Sequence, residues 1–307
     1  MEKERLLKHY ERVLSEEEIE RAKRDDHARR KPRPCGFTVH VAKGCRANCL
    51  YCYVSSEPKR NELSPKALVY ALLLNPRFEV GKSFVAIGAI CEPLDYPDYT
   101  AELVEELIKL GNPIQISTKE VKYDLVGILK RVDCLISMCI PFDEICKKFE
   151  PNRPPPSERL EFCKEVGGCV FLRPILPNVD LKTYKKGLEL ISEYTDRVIL
   201  GNLRLTSVVK RKLGIDKLPK KYYERKRVLE EHAKDLGLIV YRSACCSNAY
   251  KHKVVCWNRC WEKGFCSRCP NRCWLKWARP DSNRGPSPRQ GDVITPRPRA
   301  LDMSKHV

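Results

Sequence analysis

The sequence predicts an α/β fold in which short strands and helices alternate to build part of a parallel barrel. From Cys35 onward, short runs rich in β-branched residues alternate with longer segments of helical periodicity. Six strand–helix pairs follow one another, which is three quarters of a complete (β/α)8 barrel. Polar residues recur directly after the strands, at the rim where such barrels carry their chemistry. We therefore expect a partial (β/α)6 TIM barrel with its site at that rim.

Residues 1–34 are predicted to form a charged helical arm before the barrel. The apolar residues that recur there at helical spacing are Leu6, Leu7, Tyr10, Val13 and Leu14. Two interpretations are open: a solvated arm packed on the domain, and an arm that binds nucleic acid. The run from Lys31 to Pro34 contains two prolines, which end any helix because proline lacks the amide hydrogen.

The barrel domain is predicted to span residues 35–240. Its strands are expected at 38–42, 84–90, 114–117, 135–140, 170–175 and 198–203. Its helices are expected at 65–74, 100–110, 123–131, 156–166 and 181–194, with further helical stretches at 208–211 and 222–236.

The first strand is followed by three cysteines spaced C-x3-C-x2-C, in a segment that we call the cysteine loop (residues 44–54). The cysteines are Cys45, Cys49 and Cys52. A structural zinc site takes four protein ligands, and an ordinary iron–sulfur cubane takes four thiolates. Three close thiols therefore leave one metal position open, where a substrate can bind. Zinc with a distant fourth ligand and the absence of any metal are the alternatives.

Composition favours a reduced globular protein with an anionic partner. The 307 residues carry a formal charge of +18, which favours nucleic acid. Abundant lysine and glutamate with only two glutamines also describe a protein from a hot environment. The amino-terminal segment lacks the apolar run of a signal peptide, so we expect the cysteines to be kept reduced. Their odd number, seventeen, also disfavours a disulfide scaffold, and metal ligands are expected among them. We expect a cytoplasmic protein without membrane association.

The motif Cys45-x3-Cys49-x-Tyr51-Cys52 resembles the signature of the radical S-adenosylmethionine (SAM) enzymes. The chain also resembles the branch that contains spore photoproduct lyase and DNA repair photolyase-like proteins. The segments that carry this second resemblance are Cys49–Tyr53, Glu92-Pro93, Thr118-Lys119, residues 150–161 and Arg173–Asn178. The resemblance covers roughly residues 35–206, and it implies a partial barrel of radical SAM type.

The resemblance implies that Cys45, Cys49 and Cys52 hold a [4Fe-4S] cluster whose fourth iron chelates SAM. One electron, from a donor such as ferredoxin or flavodoxin, would cleave SAM to a 5′-deoxyadenosyl radical. Tyr51 is expected to lie against the adenine. Glu92 is expected to bind the SAM amino group, and an exposed loop carboxylate is the alternative.

Further rim residues are candidates for the same site. Lys119 and Arg173 are assigned to cofactor binding, while Arg153 and Arg204 are candidates for SAM or an anionic substrate. Helix capping and loop salt bridges are the alternatives for all four. Cys91 is the candidate hydrogen-atom donor to a product radical, as the resemblance to the lyase implies, and an ordinary small apolar residue is the alternative.

A cysteine-rich module is predicted at residues 241–276 as a second metal site. Its candidate ligands are Cys256, Cys260, Cys266, Cys269 and Cys273. A second iron–sulfur cluster, a zinc site and unliganded thiols are all open. The basic residues and tryptophans between these cysteines also suit single-stranded nucleic acid.

Residues 277–307 read like the translated antisense strand of a transfer-RNA gene. Asp281–Arg284 can be encoded by the complement of a T-arm sequence, and a disordered Pro/Arg-rich tail is the alternative. Neither interpretation gives this segment a function.

The sequence therefore predicts a radical SAM enzyme that cleaves SAM and acts on an unidentified substrate. Nucleic-acid repair or modification is favoured by charge and by resemblance. The alternatives are an enzyme that modifies a peptide or small molecule and carries an auxiliary cluster, and a non-enzymatic zinc-stabilised nucleic-acid-binding protein. The sequence does not indicate the oligomeric state.

Overall fold

The computed structural model describes residues 2–54 and 57–257, in which a parallel sheet is surrounded by helices. The strands are β1 (Phe37–Val39), β2 (Ala42–Lys43), β3 (Lys59–Arg60), β4 (Val85–Ile87), β5 (Ile114–Thr118), β6 (Asp133–Met138), β7 (Cys169–Ile175), β8 (Arg197–Asn202) and β9 (Ile239–Tyr241). Seven of these form one sheet in the order β1-β4-β5-β6-β7-β8-β9, with every neighbouring pair parallel. Strands β2 and β3 form a separate antiparallel pair.

Helices connect the strands and cover the outer face of the sheet. They are α1 (Glu2–Val13), α2 (Glu16–Arg24), α3 (Pro65–Leu74), α4 (Pro97–Lys109), α5 (Val126–Leu129), α6 (Asp143–Cys146), α7 (Pro156–Val166), α8 (Leu181–Ser192), α9 (Ser207–Leu213), α10 (Tyr222–Asp235) and α11 (Ala244–His252). Within the described residues, no helix is long and apolar enough to cross a membrane.

The predicted fold class is confirmed, since the sheet is that of a partial parallel barrel. Helices α3 and α7 have the predicted bounds, because each begins with proline in its first turn and α7 ends at Gly167 in the left-handed conformation. The helix expected at 123–131 is instead a 3₁₀ turn followed by the short α5. Of the strand expected at 84–90, only β4 forms, because Gly88 adopts a φ of +92° just after it and ends the strand.

The sheet has a seventh strand, β9, which the sequence analysis did not predict. The available signal was the run of β-prone residues at Leu238–Tyr241. Strand β9 pairs with β8, where Val198 lies opposite Val240.

The amino-terminal arm packs on the barrel. Tyr10 is buried, and its hydroxyl donates to Glu106 Oε2 at 2.8 Å. The ammonium of Lys3 donates to the carbonyls of Asn75 and Phe78 at 2.7 and 2.9 Å. Helices α1 and α2 therefore contribute to the core beside α3 and α4.

Helix α11 covers the amino-terminal ends of β5 and β6. The side chain of Gln115 donates to Ala244 O at 2.8 Å, and Ser247 Oγ donates to Asp133 Oδ1 at 2.9 Å. Cys245 and Cys246, in the first turn of α11, are buried in an apolar cluster with Leu135 and other inward-facing residues. The end of the barrel opposite the predicted rim is therefore filled by protein.

Candidate active site

A cleft opens at the carboxyl ends of the strands, between the cysteine loop and the loops that follow β4 to β8. Its lining includes every barrel residue that the sequence analysis assigned to catalysis or to the cofactors. The polar and sulfur-bearing residues in that lining are Cys45, Cys49, Tyr51, Cys52, Tyr53, Cys91, Glu92, Ser117, Thr118, Lys119, Ser137, Arg153, Arg173, Asn202 and Arg204. Alternation along β7 explains why Arg173 lines the cleft. Val170 and Leu172 are buried, whereas Phe171 and Arg173, between and after them, line the cleft.

The cysteine loop brings its three thiols to one side of the cleft. Asn48 adopts a φ of +49°, which turns the chain between Cys45 and Cys49 and is a conformation that asparagine tolerates. The N–H of Leu50 donates to Phe149 O at 2.9 Å, which ties this loop to the segment between α6 and α7. The three cysteines therefore line the same cleft.

The environment of these sulfurs fits a [4Fe-4S] cluster. Val54 N–H donates to Cys52 Sγ at 3.4 Å, and Arg153 Nη2 donates to Cys45 Sγ at 3.5 Å. Such donors stabilise thiolate ligands. Burial raises the pKa of the Cys49 thiol to about 12, so deprotonation there requires a compensating cation such as a bound metal. Three cysteine ligands would leave one iron of such a cluster available to a further ligand.

Tyr51 is fixed in the cleft by a buried ion pair. Its hydroxyl donates to Glu150, which also accepts from Cys139 N–H at 2.8 Å and from Arg159 Nη1 at 2.6 Å. Burial alone would raise the pKa of Glu150, but the charges of Arg159 and Lys119 outweigh it and lower that pKa. The carboxylate is therefore ionised, and it holds the tyrosine ring in one orientation.

Glu92 is buried, with only 6% of its surface exposed, so it is not an exposed loop carboxylate. Its Oε1 accepts from Thr118 Oγ1 at 2.5 Å and from Leu94 N–H at 3.3 Å. Its Oε2 accepts from Lys119 N–H at 2.8 Å. Burial raises the pKa of Glu92 despite the opposing charge of Arg153. The side chain joins the loops after β4 and β5 while it lines the cleft.

Lys119 places a cation beside the cysteine loop. Its Nζ lies 5.7 Å from the centre of the Tyr51 ring, a cation–π distance. Burial alone would lower the pKa of Lys119, but the charge of Glu150 is the main effect that outweighs it and raises that pKa. The side chain therefore presents a full positive charge to an anionic ligand in the cleft.

Cys91 lies directly before Glu92 and also lines the cleft. Burial raises the pKa of its thiol to about 12. The sulfur therefore carries its hydrogen at neutral pH.

The opposite side of the cleft, which we call the arginine wall, consists of Arg173, Asn202 and Arg204. The guanidinium of Arg173 stacks on Phe171 at 5.4 Å, and that of Arg204 stacks on Tyr53 at 5.2 Å. In the described part of the chain, neither guanidinium forms an ion pair with a carboxylate. The buried Oδ1 of Asn202 has no hydrogen-bond partner there. This wall therefore offers unused positive charge and polar capacity to a ligand.

One group of possible metal ligands away from the cysteine loop has another explanation. Among the described residues, ligand atoms of Cys139, Cys146 and Glu150 lie within 4.8 Å of one another. Arg159 donates to Glu150, and it also donates to Cys146 Sγ at 3.3 Å. A guanidinium in this position repels a metal cation, so the group is an ion-pair network rather than a metal site.

The predicted second metal site falls almost wholly outside the described residues. Of its five candidate ligands, Cys256 is described, and it is buried in one apolar cluster with Cys245, Cys246 and Tyr241. The other four candidates, Cys260, Cys266, Cys269 and Cys273, lie outside the described residues, as does the segment 277–307.

The sequence analysis missed several residues that build the cleft. Glu150 and Arg159 belong to a segment that carried the family resemblance, but nothing in the sequence indicated that they pair and hold Tyr51. Asp95 and Glu120 were missed because they act through Arg153, which donates to both carboxylates. The available signal was their position just after the segments Glu92-Pro93 and Thr118-Lys119, which carried the family resemblance.

Solved structures with a similar fold include three different proteins. SuiB from Streptococcus suis, bound to S-adenosylmethionine, is 18% identical with a TM-score of 0.50, and the match covers 68% of this chain and 50% of SuiB. Spore photoproduct lyase complexed with dinucleoside spore photoproduct is 13% identical with a TM-score of 0.53, covering 69% and 78%. A radical SAM methyltransferase from Sphaerobacter thermophilus is 18% identical with a TM-score of 0.51, covering 66% and 65%.

The match therefore spans only half the length of SuiB, and these identities establish the fold alone. No curated protein sequence matches this chain significantly. The family model described as the Radical SAM superfamily matches residues 39–199, which begin in β1 and end in β8. This match includes the cysteine loop, whose sulfurs suit a cluster with one open iron position. On this evidence, the chain belongs to the radical SAM superfamily.

Proposed function

We propose that this enzyme binds a [4Fe-4S] cluster at Cys45, Cys49 and Cys52, cleaves SAM reductively, and acts on nucleic acid. When bound, the cluster supplies the electron that breaks a C–S bond of SAM, and the resulting 5′-deoxyadenosyl radical abstracts a hydrogen atom from the substrate. The reducing partner is an electron donor such as ferredoxin or flavodoxin. Metal-dependent nucleic-acid binding without catalysis is disfavoured by the family.

The residues beside the cysteine loop are proposed to orient SAM. Tyr51, held by Glu150, offers a fixed aromatic face for the adenine. Lys119 offers a cation to the SAM carboxylate, and Glu92 offers its remaining acceptor capacity to the amino group. The S–H of Cys91 is the proposed hydrogen-atom source for a product radical, because it lines the same cleft and keeps its hydrogen.

The observation that carries the choice of substrate is the unpaired positive charge of the arginine wall. Arg173 and Arg204 are both exposed, both are stacked on rings, and both lie in the cleft that contains the cysteines. Guanidinium groups bind phosphates in a two-pronged geometry, and exposed aromatic rings stack on bases. The dinucleoside bound by spore photoproduct lyase is a ligand of a similar barrel and supports the same choice.

A basic surface continues from this wall along α9 and the loop after it. We call it the basic rim, and its members are Lys210, Arg211, Lys212, Lys217, Lys220 and Lys221. One acidic residue, Asp216, interrupts residues 207–221. Lys212 Nζ donates to Asn48 Oδ1 at 3.5 Å, so the rim adjoins the cysteine loop. A phosphate backbone bound along the rim would therefore lead a nucleotide into the cleft.

The chemistry is tested by anaerobic reconstitution with iron and sulfide, followed by SAM cleavage under dithionite. We expect 5′-deoxyadenosine from the native chain and none from Cys49→Ala, because two thiolates do not hold the cluster. Duplex DNA, single-stranded DNA and RNA are then compared for stimulation of cleavage and for incorporation of deuterium from 5′-deuterated SAM. If acidic peptides stimulate SAM cleavage and none of the nucleic acids does, the proposed substrate is wrong and a peptide is favoured.

Nucleic-acid binding is tested separately through its salt dependence. Lys210→Ala/Arg211→Ala is expected to weaken binding and to reduce the slope of log K against log salt by about 2, about 1 for each phosphate contact. Lys23→Ala/Arg24→Ala is the matched control, because this pair is also exposed and lies in the last turn of another helix, α2. Equal effects of the two double variants would show that binding follows total charge rather than the basic rim.

A further inference from the structure

Arg153 connects its own loop to the cysteine loop and to the loops after two strands. Its Nη1 donates to Asp95 Oδ1 at 2.6 Å and to Glu120 Oε2 at 2.8 Å. Its Nη2 donates to Asp95 Oδ2 at 2.9 Å and to Cys45 Sγ at 3.5 Å. Asp95 follows β4, Glu120 follows β5, and Arg153 itself lies between α6 and α7. One guanidinium therefore fixes the position of Cys45 relative to the strand ends.

The side chain forms loop salt bridges, which the sequence analysis gave as the alternative to ligand binding. Its exposed fraction is 4%, against 22% for Asp95 and 19% for Glu120. Two carboxylates occupy one nitrogen, and a carboxylate and a sulfur occupy the other. The ion pair with Asp95 is two-pronged, which is a rigid arrangement. The remaining buried Nε has no hydrogen-bond partner in the described chain.

An N–H group aimed at a cysteine sulfur has a known consequence in iron–sulfur proteins. Hydrogen bonds to the sulfurs and nearby positive charge stabilise the more negative, reduced cluster, and so raise its reduction potential. The effect requires the donor to stay in place. The carboxylates of Asp95 and Glu120 supply that constraint, and together they offset the single charge of the guanidinium, so the effect on the cluster comes from the hydrogen bond.

We propose that Arg153 is a positioning residue that raises the reduction potential of the cluster bound by Cys45, Cys49 and Cys52, through its hydrogen bond to Cys45 Sγ. This inference rests on the cluster binding proposed above. The reaction concerned is the uptake of one electron by the oxidised cluster from an external reductant, before any bond of SAM breaks. Arg153 thereby sets how strong that reductant must be.

The test is a redox titration of the reconstituted full chain without SAM or substrate, followed by electron paramagnetic resonance. Arg153→Met is expected to lower the equilibrium constant for reduction about tenfold, which for one electron is a shift of about 59 mV to more negative potential. Arg153→Lys keeps the charge and loses the two-pronged geometry, so its shift is expected in the same direction and smaller.

Arg46→Met is the matched control. It removes the same charge from the residue next to Cys45, but Arg46 is exposed, and its side chain forms no hydrogen bond to a described sulfur. A shift for Arg153→Met that exceeds the shift for Arg46→Met supports the inference. Equal shifts in the two variants, or a native potential in Arg153→Met, overturn it.

Iron and sulfide contents separate this inference from the proposed function. A native chain that holds no cluster contradicts the proposed function and removes the basis of the inference. A native chain with a full cluster and an unshifted Arg153→Met potential contradicts the inference alone. If Arg153→Met does not bind the cluster, Arg153→Lys provides the test. A native reduction potential in Arg153→Lys overturns the proposal that the two-pronged placement of Arg153 raises the potential.

Discussion

The two sides of the cleft are built in opposite ways. On the side of the cysteine loop, Glu150, Glu92 and Arg153 are buried, and each hydrogen-bonds to two or more protein groups. On the arginine wall, Arg173 and Arg204 are exposed and stack on rings, and they form no ion pair with a described carboxylate. On the first side these buried groups are already paired within the protein, whereas the second side has unused charge.

This difference indicates which side of the cleft contributes to the stability of the fold and which side contributes to ligand affinity. A buried, ionised network holds its geometry before a ligand arrives, so its cofactor is bound with little reorganisation. An exposed guanidinium loses side-chain freedom only when a ligand binds, so its removal is expected to change affinity rather than folding. Substitutions on the two sides should therefore change different measured quantities.

The largest expected effect on stability comes from Glu150→Gln. Loss of this charge leaves Arg159 buried without its counter-ion, which costs about 3–5 kcal/mol of the free energy of unfolding. For a domain of this size we expect Tm to fall by about 10 °C. Thermal unfolding of the reconstituted chain, followed by circular dichroism, gives the measurement.

Arg173→Met is the control for Glu150→Gln, because it removes a charge from the exposed side of the same cleft. Its Tm is expected to lie within about 1 °C of the native value, since exposed substitutions usually change stability by less than about 0.5 kcal/mol. A comparable loss of Tm in both variants would contradict the distinction between the two sides.

A smaller effect is expected in the pH dependence of stability. The pKa of Glu150 lies below its ordinary value of 4.5, because Arg159 and Lys119 outweigh the opposing effect of burial. Its ionised form therefore stabilises the fold fully above that value, and the contribution is lost as the pH falls through the lowered pKa. The difference in Tm between the native chain and Glu150→Gln should shrink over that interval.

Glu92→Gln is the matched control for this pH dependence. Glu92 is also buried, but burial raises its pKa, so protonation favours the folded state. Acidification should therefore change its Tm difference from the native chain in the opposite direction. The same direction in both variants would mean that the two carboxylates do not differ as their surroundings indicate.

The sequence was sufficient for the elements whose ends carry local signals. Ser64 and Pro65 begin α3, and Pro156 and Gly167 bound α7, so these helices had the predicted limits. The cysteine spacing likewise located one side of the cleft. Strand β9 was missed although Leu238–Tyr241 is a run of β-prone residues, and its place in the sheet depends on pairing with β8.

The sequence was insufficient where a side chain takes its role from a distant partner. Arg153 was a candidate for contact with SAM or an anionic substrate, with a loop salt bridge as the alternative. Its nitrogens are occupied by Asp95, Glu120 and Cys45, which lie 33 to 108 residues away. Glu92 was weighed against an exposed carboxylate, and it is buried because Thr118 and Lys119 of the neighbouring strand end hydrogen-bond to it. Neither pairing has a signature in one sequence.

The smallest expected effect comes from Gly201→Ala, which moves Arg173 without removing it. An added Cβ would lie 2.7 Å from Cγ of Arg173 and 2.9 Å from its Cβ, so the Arg173 side chain must shift. Because Arg173 contributes one proposed phosphate contact, the salt slope of oligonucleotide binding should fall by less than about 1, the loss expected for Arg173→Met. Gly127→Ala is the control, since its Cβ would meet nothing within 4 Å. A native slope in Gly201→Ala together with a reduced slope in Arg173→Met would mean that the charge of Arg173 contributes to binding and its stacked position does not.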